Sequence, residues 1–239
     1  NWDGANETDG TFSVTGGDLG DTVTGGAGSD RIDGGLGNDT INGGIGNDSL
    51  TGGNGDDRFE VGSGTDAVTD LVTGDVLVVT TGATANATVA GNFVATSATS
   101  NTAGTVNISG TNGAPHTIDL SDATGTTGYT VTGGDGNDSI VGSDFADQLD
   151  GNQGSDTLVV GNVADSVYGG GGNDVVMSKD GVDVLTGVLD GGAGASDKLI
   201  LDDQDNISGA TLSGFEVLEL DDDASVTMTR DQHEAFGDI

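Results

Sequence analysis

A nine-residue period constrains this chain more than any other property. From Gly16 to Glu60 the sequence reads GGDLGDTVT, GGAGSDRID, GGLGNDTIN, GGIGNDSLT and GGNGDDRFE, five consecutive units. Glycine stands at positions one and two and usually at four, aspartate at six, and an apolar residue at eight. The aspartates are Asp21, Asp30, Asp39, Asp48 and Asp57, followed by Asp66 in a weaker sixth unit. Their apolar companions are Val23, Ile32, Ile41, Leu50, Phe59 and Val68. A second array repeats the rule with Asp138, Asp147, Asp156, Asp165, Asp174 and Asp183, and with Ile140, Leu149, Leu158, Val167, Val176 and Leu185. Ordinary turns are also rich in Gly, Asp and Asn, but they keep no common phase.

The period dictates a local structure. Six residues are expected to make a turn and three a strand. The turn needs glycine, because its backbone angles and close approach leave no room for a Cβ. A three-residue strand points its middle residue inward and its neighbours outward, so position eight fills a thin core. Two units complete one coil, and turns stack on turns two units away. Asp21, Asp39 and Asp57 then share one edge, and Asp30, Asp48 and Asp66 the other. The fold class expected is all-β: a parallel β-roll (β-solenoid) of nonapeptide repeats, in two arrays separated by a β-rich insert.

Stacked aspartates would stand about 4.8 Å apart, one strand spacing. Carboxylates that close repel unless a cation lies between them. Calcium suits the gap as a hard ion taking about six to eight oxygens in adaptable geometry, whereas Mg²⁺ demands a tight octahedron and keeps its waters. Transition metals are disfavoured, because the chain has no cysteine and only His116 and His233 offer nitrogen. The reading of His116 is a turn or strand-face residue.

These units resemble the glycine- and aspartate-rich nonapeptides of the RTX family, a calcium-binding parallel β-roll. Full matches start at Gly25, Gly34, Gly43, Gly52, Gly133 and Gly169, near matches at Gly16 and Gly151. The resemblance covers roughly half the chain. It implies that position-six carboxylates and turn carbonyls supply the calcium oxygens. Carried residue by residue, that role falls to the aspartates named above and to the turns containing Gly26, Gly28, Gly35, Gly37, Gly44, Gly46, Gly53, Gly55, Gly134, Gly136, Gly170 and Gly172. About 8–10 Ca²⁺ would offset roughly half the chain's charge. The turns at Leu19, Ser143, Gly161 and Lys179 depart from the pattern, and the sequence leaves their occupancy open.

Charge and composition fit a metal-dependent fold. Forty acidic against five basic residues give a formal charge of −35 over 239 residues. Only Glu7, Glu60, Glu216, Glu219 and Glu234 are glutamates, so the acids belong to turns rather than helices. Such a charge expands the metal-free chain. With 46 glycines and 4% aromatic residues, little apolar surface is available, and metal binding must supply much of the folding free energy. The absence of a basic patch argues against a nucleic-acid partner. No apolar run is long enough for a transmembrane segment.

Five regions are expected. Residues 1–15 form an N-terminal cap and 16–78 the first roll. Residues 79–132 form a β insert that is free of Asp, Glu, Lys and Arg up to Ile118, either a small sandwich or wider coils continuing the solenoid. Residues 133–200 form the second roll, which an extra residue before Asp197 (GGAGASDKLI) should end. Residues 201–239 form a capping hairpin from Phe215–Leu220 and Ser225–Thr229, then one helical turn near Asp231–Phe236. The acidic clusters Asp202, Asp203, Asp205 and Asp221–Asp223 read as solvated loops.

No catalytic constellation is visible: HExxH, Gly-x-Ser-x-Gly and a phosphate loop are all missing. The function expected is a calcium-binding structural module of a secreted or cell-surface bacterial protein, such as an adhesin, surface-layer or matrix component. The alternative is the C-terminal secretion and folding module of a type I-secreted enzyme or toxin. Weak calcium turns fill only at extracellular calcium levels, and the resemblance implies a Gram-negative source. The chain begins at Asn1 without a secretory signal and reads as a fragment of something longer. A glycan or surface-protein partner remains open. Ice binding through a flat Thr/Asn face is disfavoured by outward Arg31, Asp33, Arg58 and Glu60.

Overall fold

The computed structural model describes residues 1–8, 10–161, 164–179, 184–202, 205–220 and 226–236, without the side chains of 233–235. The chain forms two compact units, Asn1–Gly110 with Asp122–Thr127, and Thr111–Ser121 with Gly128–Ile239.

In the first unit, up to Val89, successive strands alternate between two parallel sheets, which is the signature of a coil; Phe93–Val94 then belongs to a third sheet. One sheet takes Trp2–Asp3, Thr22–Ala27, Thr40–Ile45, Arg58–Val61, Val76–Val79, Ser100–Asn101 and Thr124–Gly125, in that order. The other takes Ser13–Thr15, Arg31–Leu36, Ser49–Asn54, Thr65–Leu71, Thr84–Val89 and Thr105–Gly110. Register places Val23 beside Ile41, Ile41 beside Phe59 and Phe59 beside Leu77. On the facing sheet Ile32 lies beside Leu50 and Leu50 beside Val68. All seven side chains are buried, forming two facing inward columns of position-eight residues. Their removal from water is the apolar part of the driving force, about 1.5–3 kcal/mol for each fully buried aliphatic or aromatic side chain.

The strands are longer than the sequence suggests. Arg31–Leu36 and Thr40–Ile45 each span six residues, not three. The paired glycines stay in the ladder, with Gly26 opposite Gly44 and Gly35 opposite Gly53. Missing side chains do not interrupt backbone pairing, so the true turn shrinks to positions four to six.

The charge-poor stretch after Val79 forms wider coils. Thr84 pairs with Thr65 and, on its other side, with Thr105. Ser100 pairs with Val78 and with Thr124. These offsets exceed the eighteen residues that separate Val23 from Ile41, and Ile41 from Phe59, along the array. Asn86, Thr105 and Ser109 face out, while Ala85, Ala87, Val89, Val106 and Ile108 are buried, as are the polar Thr99 and Asn101. Alternation by small residues carries the coil forward without aspartate turns.

The second unit has the same construction. Thr117–Asp119, Ser139–Val141, Thr157–Val160, Val175–Ser178, Lys198–Leu201 and Val217–Leu220 form one parallel row. Thr130–Asp135, Gln148–Gln153, Ser166–Tyr168, Val184–Asp190 and Asn206–Ser213 form the other. The extra residue near Ala195 does not end the roll: Leu199 pairs with Val176 and Leu218 with Leu199. The insertion is absorbed in the loops between strands, where a longer connection costs little entropy.

The hairpin expected at the carboxyl end is replaced by parallel pairing. Val217–Leu220 lies along Lys198–Leu201, and Thr227 bridges in parallel to Asn206. A helix at Arg230–Ala235 follows. The buried Gln232 donates from Nε2 to the carbonyls of Ile207 (2.5 Å) and Ala210 (2.6 Å), tying that helix to the last coil.

Candidate metal centre

The aspartates of the repeats form ladders. In each, the backbone N–H of one aspartate donates to Oδ1 of the aspartate one coil later. In the first unit one edge runs from Asp30 to Asp48 (2.8 Å) to Asp66 (3.0 Å). The other runs from Asp21 to Asp39 (2.6 Å), Asp57 (2.8 Å) and Asp75 (2.9 Å). In the second unit one edge runs from Asp138 to Asp156 (2.7 Å) and Asp174 (2.8 Å), and the other from Asp147 to Asp165 (2.8 Å). The structure therefore brings the predicted aspartates together along coil edges. Asp183 lies outside the described residues. The register of Ser166 opposite Val188 gives the place after Asp165 to Gly187 instead.

Only one carboxyl oxygen of most of these groups is used by the ladder. Oδ2 of Asp39, Asp48, Asp66, Asp138, Asp156 and Asp174 is buried without a hydrogen-bond partner. These six residues are each at most 3% exposed. A buried, unpaired carboxylate oxygen is costly unless something positive meets it. The packing around it is close: a side chain on Gly43 would collide with Oδ2 of Asp48, and one on Gly133 with Oδ2 of Asp138. The predicted glycine positions line the same turns. Gly28, Gly35, Gly37, Gly44, Gly46, Gly53, Gly55, Gly134, Gly136, Gly170 and Gly172 all have positive φ; Gly26, the exception, donates its N–H to Oδ2 of Asp30 (2.9 Å).

Burial sets the electrostatics. It pushes the Asp66 carboxyl up to about 7, with the nearby charge of Asp48 adding to the rise. Desolvation likewise raises Asp156 to about 6, helped by the charges of Asp174 and Asp138. Asp39, Asp48, Asp57 and Asp174 are raised by desolvation too. Each receives a ladder N–H that favours its charged form, and burial still outweighs it. Asp21, at the open end, moves the other way, chiefly through the N–H of Gly17.

The available donors are oxygens: carboxylates and glycine-turn carbonyls. Among the described residues no three His, Cys, Asp or Glu side chains converge on one point. The chain has no cysteine and the His116 ring is engaged by Thr111, so these turns offer oxygen rather than thiolate or imidazole. A hard cation that accepts one or two carboxylates plus carbonyls matches the donor chemistry, and Ca²⁺ is the common ion of that kind. His116 is a buried strand neighbour rather than a ligand: its N–H donates to Asp138 Oδ1 (2.6 Å), and its ring meets Thr111.

Three ladder members lie outside the set of ligands assigned from the sequence. Asp75 extends the first unit's edge; the sequence keeps it in phase eighteen residues after Asp57, but without the paired glycines the segment reads only as the roll's closing strand. Asp197 accepts the N–H of Asp174 (2.8 Å) despite the insertion before it. Glu216 accepts the N–H of Asp197 (2.8 Å), in a sequence with no repeat signal at all.

The family model of the RTX calcium-binding nonapeptide repeat matches in four copies, at residues 15–50, 35–68, 132–167 and 154–185. No curated protein matches the chain. The four copies fall on the aspartate ladders and leave the wide coils between them unmatched. The repeats of this β-solenoid are thus RTX calcium-binding nonapeptide repeats, in two arrays at residues 15–68 and 132–185.

Proposed function

We propose that the chain is a calcium-folded structural module of a secreted or cell-surface bacterial protein, of the kind found in adhesins and surface layers. The observation that carries the reading is the row of buried aspartates whose Oδ2 atoms have no protein partner. Asp39, Asp48, Asp66, Asp138, Asp156 and Asp174 would hold the ions, together with carbonyls of their glycine turns. When bound, Ca²⁺ supplies the positive charge that the interior lacks. The chain's own residues supply the rest. The ladder N–H groups orient each carboxylate, glycine lets turns stack closely, and the apolar columns exclude water from the coil.

Folding outside the cell follows from the same chemistry. A chain with a formal charge of −35 repels itself in the metal-free state. Sites built from few charges and many carbonyls fill at the calcium levels of extracellular fluids, about 10⁻⁴–10⁻³ M. RTX repeats are typical of proteins exported by Gram-negative bacteria, which supports that setting.

The test is far-UV circular dichroism and hydrodynamic radius during Ca²⁺ titration of chelator-treated protein, with Mg²⁺ alongside. Cooperative gain of β signal and compaction in Ca²⁺ alone is expected. A compact β fold indifferent to Ca²⁺ would overturn the reading.

A further inference from the structure

The two edges of the second unit are chemically different. On the edge of Asp138, Asp156 and Asp174, every Oδ2 is buried and unpartnered. On the other edge the carboxylates are already satisfied by protein donors. Asp147 accepts the Tyr129 N–H at Oδ1 (2.7 Å), the Ser143 N–H at Oδ2 (2.7 Å), and the Ser143 hydroxyl, which lies 3.0 and 2.9 Å from its two oxygens. Asp165 accepts the Asp147 N–H at Oδ1 (2.8 Å) and the Gly161 N–H at Oδ2 (2.9 Å).

Turn sequence makes the same division independently. The turns ending in Asp138, Asp156 and Asp174 carry glycine at position four. A side chain at Gly154 or Gly172 would run into the carbonyl of the glycine one coil earlier. The turns ending in Asp147 and Asp165 carry Phe145 and Val163 there.

The first edge does not stop where the nonapeptides stop. Gly194 repeats the glycine stacking, because a side chain there would meet the Gly172 carbonyl and both oxygens of Asp197. Asp197 is fully buried, its Oδ1 takes the Asp174 N–H, and its Oδ2 has no partner. Glu216 places a second carboxylate on this step, Oε2 accepting the Asp197 N–H. No lysine neutralises the pair: Lys198, next in sequence, binds Glu219 at 2.6 Å. Two acids, one of them buried with an idle oxygen, share a step that makes no ion pair in the described structure.

We infer that cation loading in the second unit is confined to the edge of Asp138, Asp156, Asp174 and Asp197, and that this row extends past the nonapeptide array to a Ca²⁺ site built by Asp197 and Glu216. Asp147 and Asp165 carry no ion, because protein donors occupy their oxygens. The inference rests on the calcium reading above and gives it a handedness: one loaded edge and one hydrogen-bonded edge. The exposed Glu216 makes the terminal site the most open of the row and therefore the weakest.

Native mass spectrometry and calorimetric titration with Ca²⁺ test this on the full chain, using Asp197→Asn, Glu216→Gln, Asp147→Asn and Asp165→Asn. The amides keep one oxygen for the ladder N–H and exchange the other for an NH2 donor, which at Asp147 and Asp165 faces the N–H of Ser143 or Gly161, so the β signal is read beside every ion count. Asp197→Asn is expected to bind one ion fewer than the unsubstituted chain. Glu216→Gln should weaken the lowest-affinity step severalfold at an unchanged β signal. Asp147→Asn and Asp165→Asn should keep the full count. An undiminished count in Asp197→Asn together with unchanged affinities in Glu216→Gln overturns the terminal site. A lost ion in Asp147→Asn or Asp165→Asn, with the β signal intact, overturns the one-edged loading. An unsubstituted chain that binds no Ca²⁺ fails at the calcium reading itself, which separates the two.

Discussion

The backbone N–H of Asp48 donates to Oδ1 of Asp66 at 3.0 Å, while Oδ2 of Asp66 meets no donor. One residue thus serves both the ladder and the candidate ion. Asp66→Asn separates the roles, since the amide oxygen still accepts the Asp48 N–H. In chelator the substitution should raise the urea midpoint, because a buried charge is gone. In Ca²⁺ titration it should shift the folding midpoint upward by about tenfold in concentration, as a charged ligand is lost. Opposite signs in the two conditions mark a metal ligand; a fall in both would mark a merely structural carboxylate.

Acid should partly replace calcium. Asp66 and Asp165 are raised to about 7, and Asp75 and Asp156 to about 6, from an ordinary value of 3.8, each mainly by burial. The folded chain therefore holds these protons more tightly than the unfolded chain. Their favourable contribution is complete below the ordinary value and is lost as pH rises through 6 to 7. Chelated protein should gain β signal and contract between pH 8 and pH 5, as followed by circular dichroism. With saturating Ca²⁺ the dependence should reverse, because protons then compete with the ion.

Glycine stacking should be unforgiving in the array and indifferent outside it. Gly46 has φ +148, and a side chain there would strike the Gly28 carbonyl. Gly46→Ala should cost about 1–3 kcal/mol in denaturant unfolding with Ca²⁺ present. Gly62 is the control, because a Cβ added there would meet nothing within 4 Å. Gly62→Ala should stay within about 0.5 kcal/mol.

The Gln232 amide ties the carboxyl-terminal helix to the last coil. Gln232 spans the carbonyls of Ile207 and Ala210 from a buried position. Gln232→Ala should cost about 1–3 kcal/mol, because two buried carbonyls lose their donor. Hydrogen exchange should show lost protection around Asn206–Ser213 and leave the first unit unaffected.

The arrays were legible in the sequence because two constraints share one phase. Ile41 must point inward and Asp39 must sit in a turn, so both signals return every nine residues. The strand length was not legible, because glycines such as Gly35 look like turn residues yet pair as strand residues opposite Gly53. The wide coils were ambiguous since Ala85 and Ala87 are buried without being strongly apolar. Asp197 and Glu216 were hidden for another reason. Ladder membership depends on spatial stacking, and the insertion between Asp174 and Asp197 removes the phase without removing the stack. Asp147 and Asp165 show the converse. They obey the pattern, yet neighbours such as Ser143 decide what their oxygens do.

The aspartate ladder also has a direction. Every rung is donated by the earlier turn and accepted by the later one, from Asp21 to Asp75 and from Asp138 to Glu216. Buried N–H groups tolerate a missing partner less well than acceptor oxygens do. Beside each rung a backbone bond runs the opposite way: the Asp21 N–H donates forward to Asp39 Oδ1, while the Thr40 N–H donates back to the Asp21 carbonyl (2.8 Å). Neighbouring coils are consequently latched in both senses, and a coil lost from either end bares a donor in the one that remains.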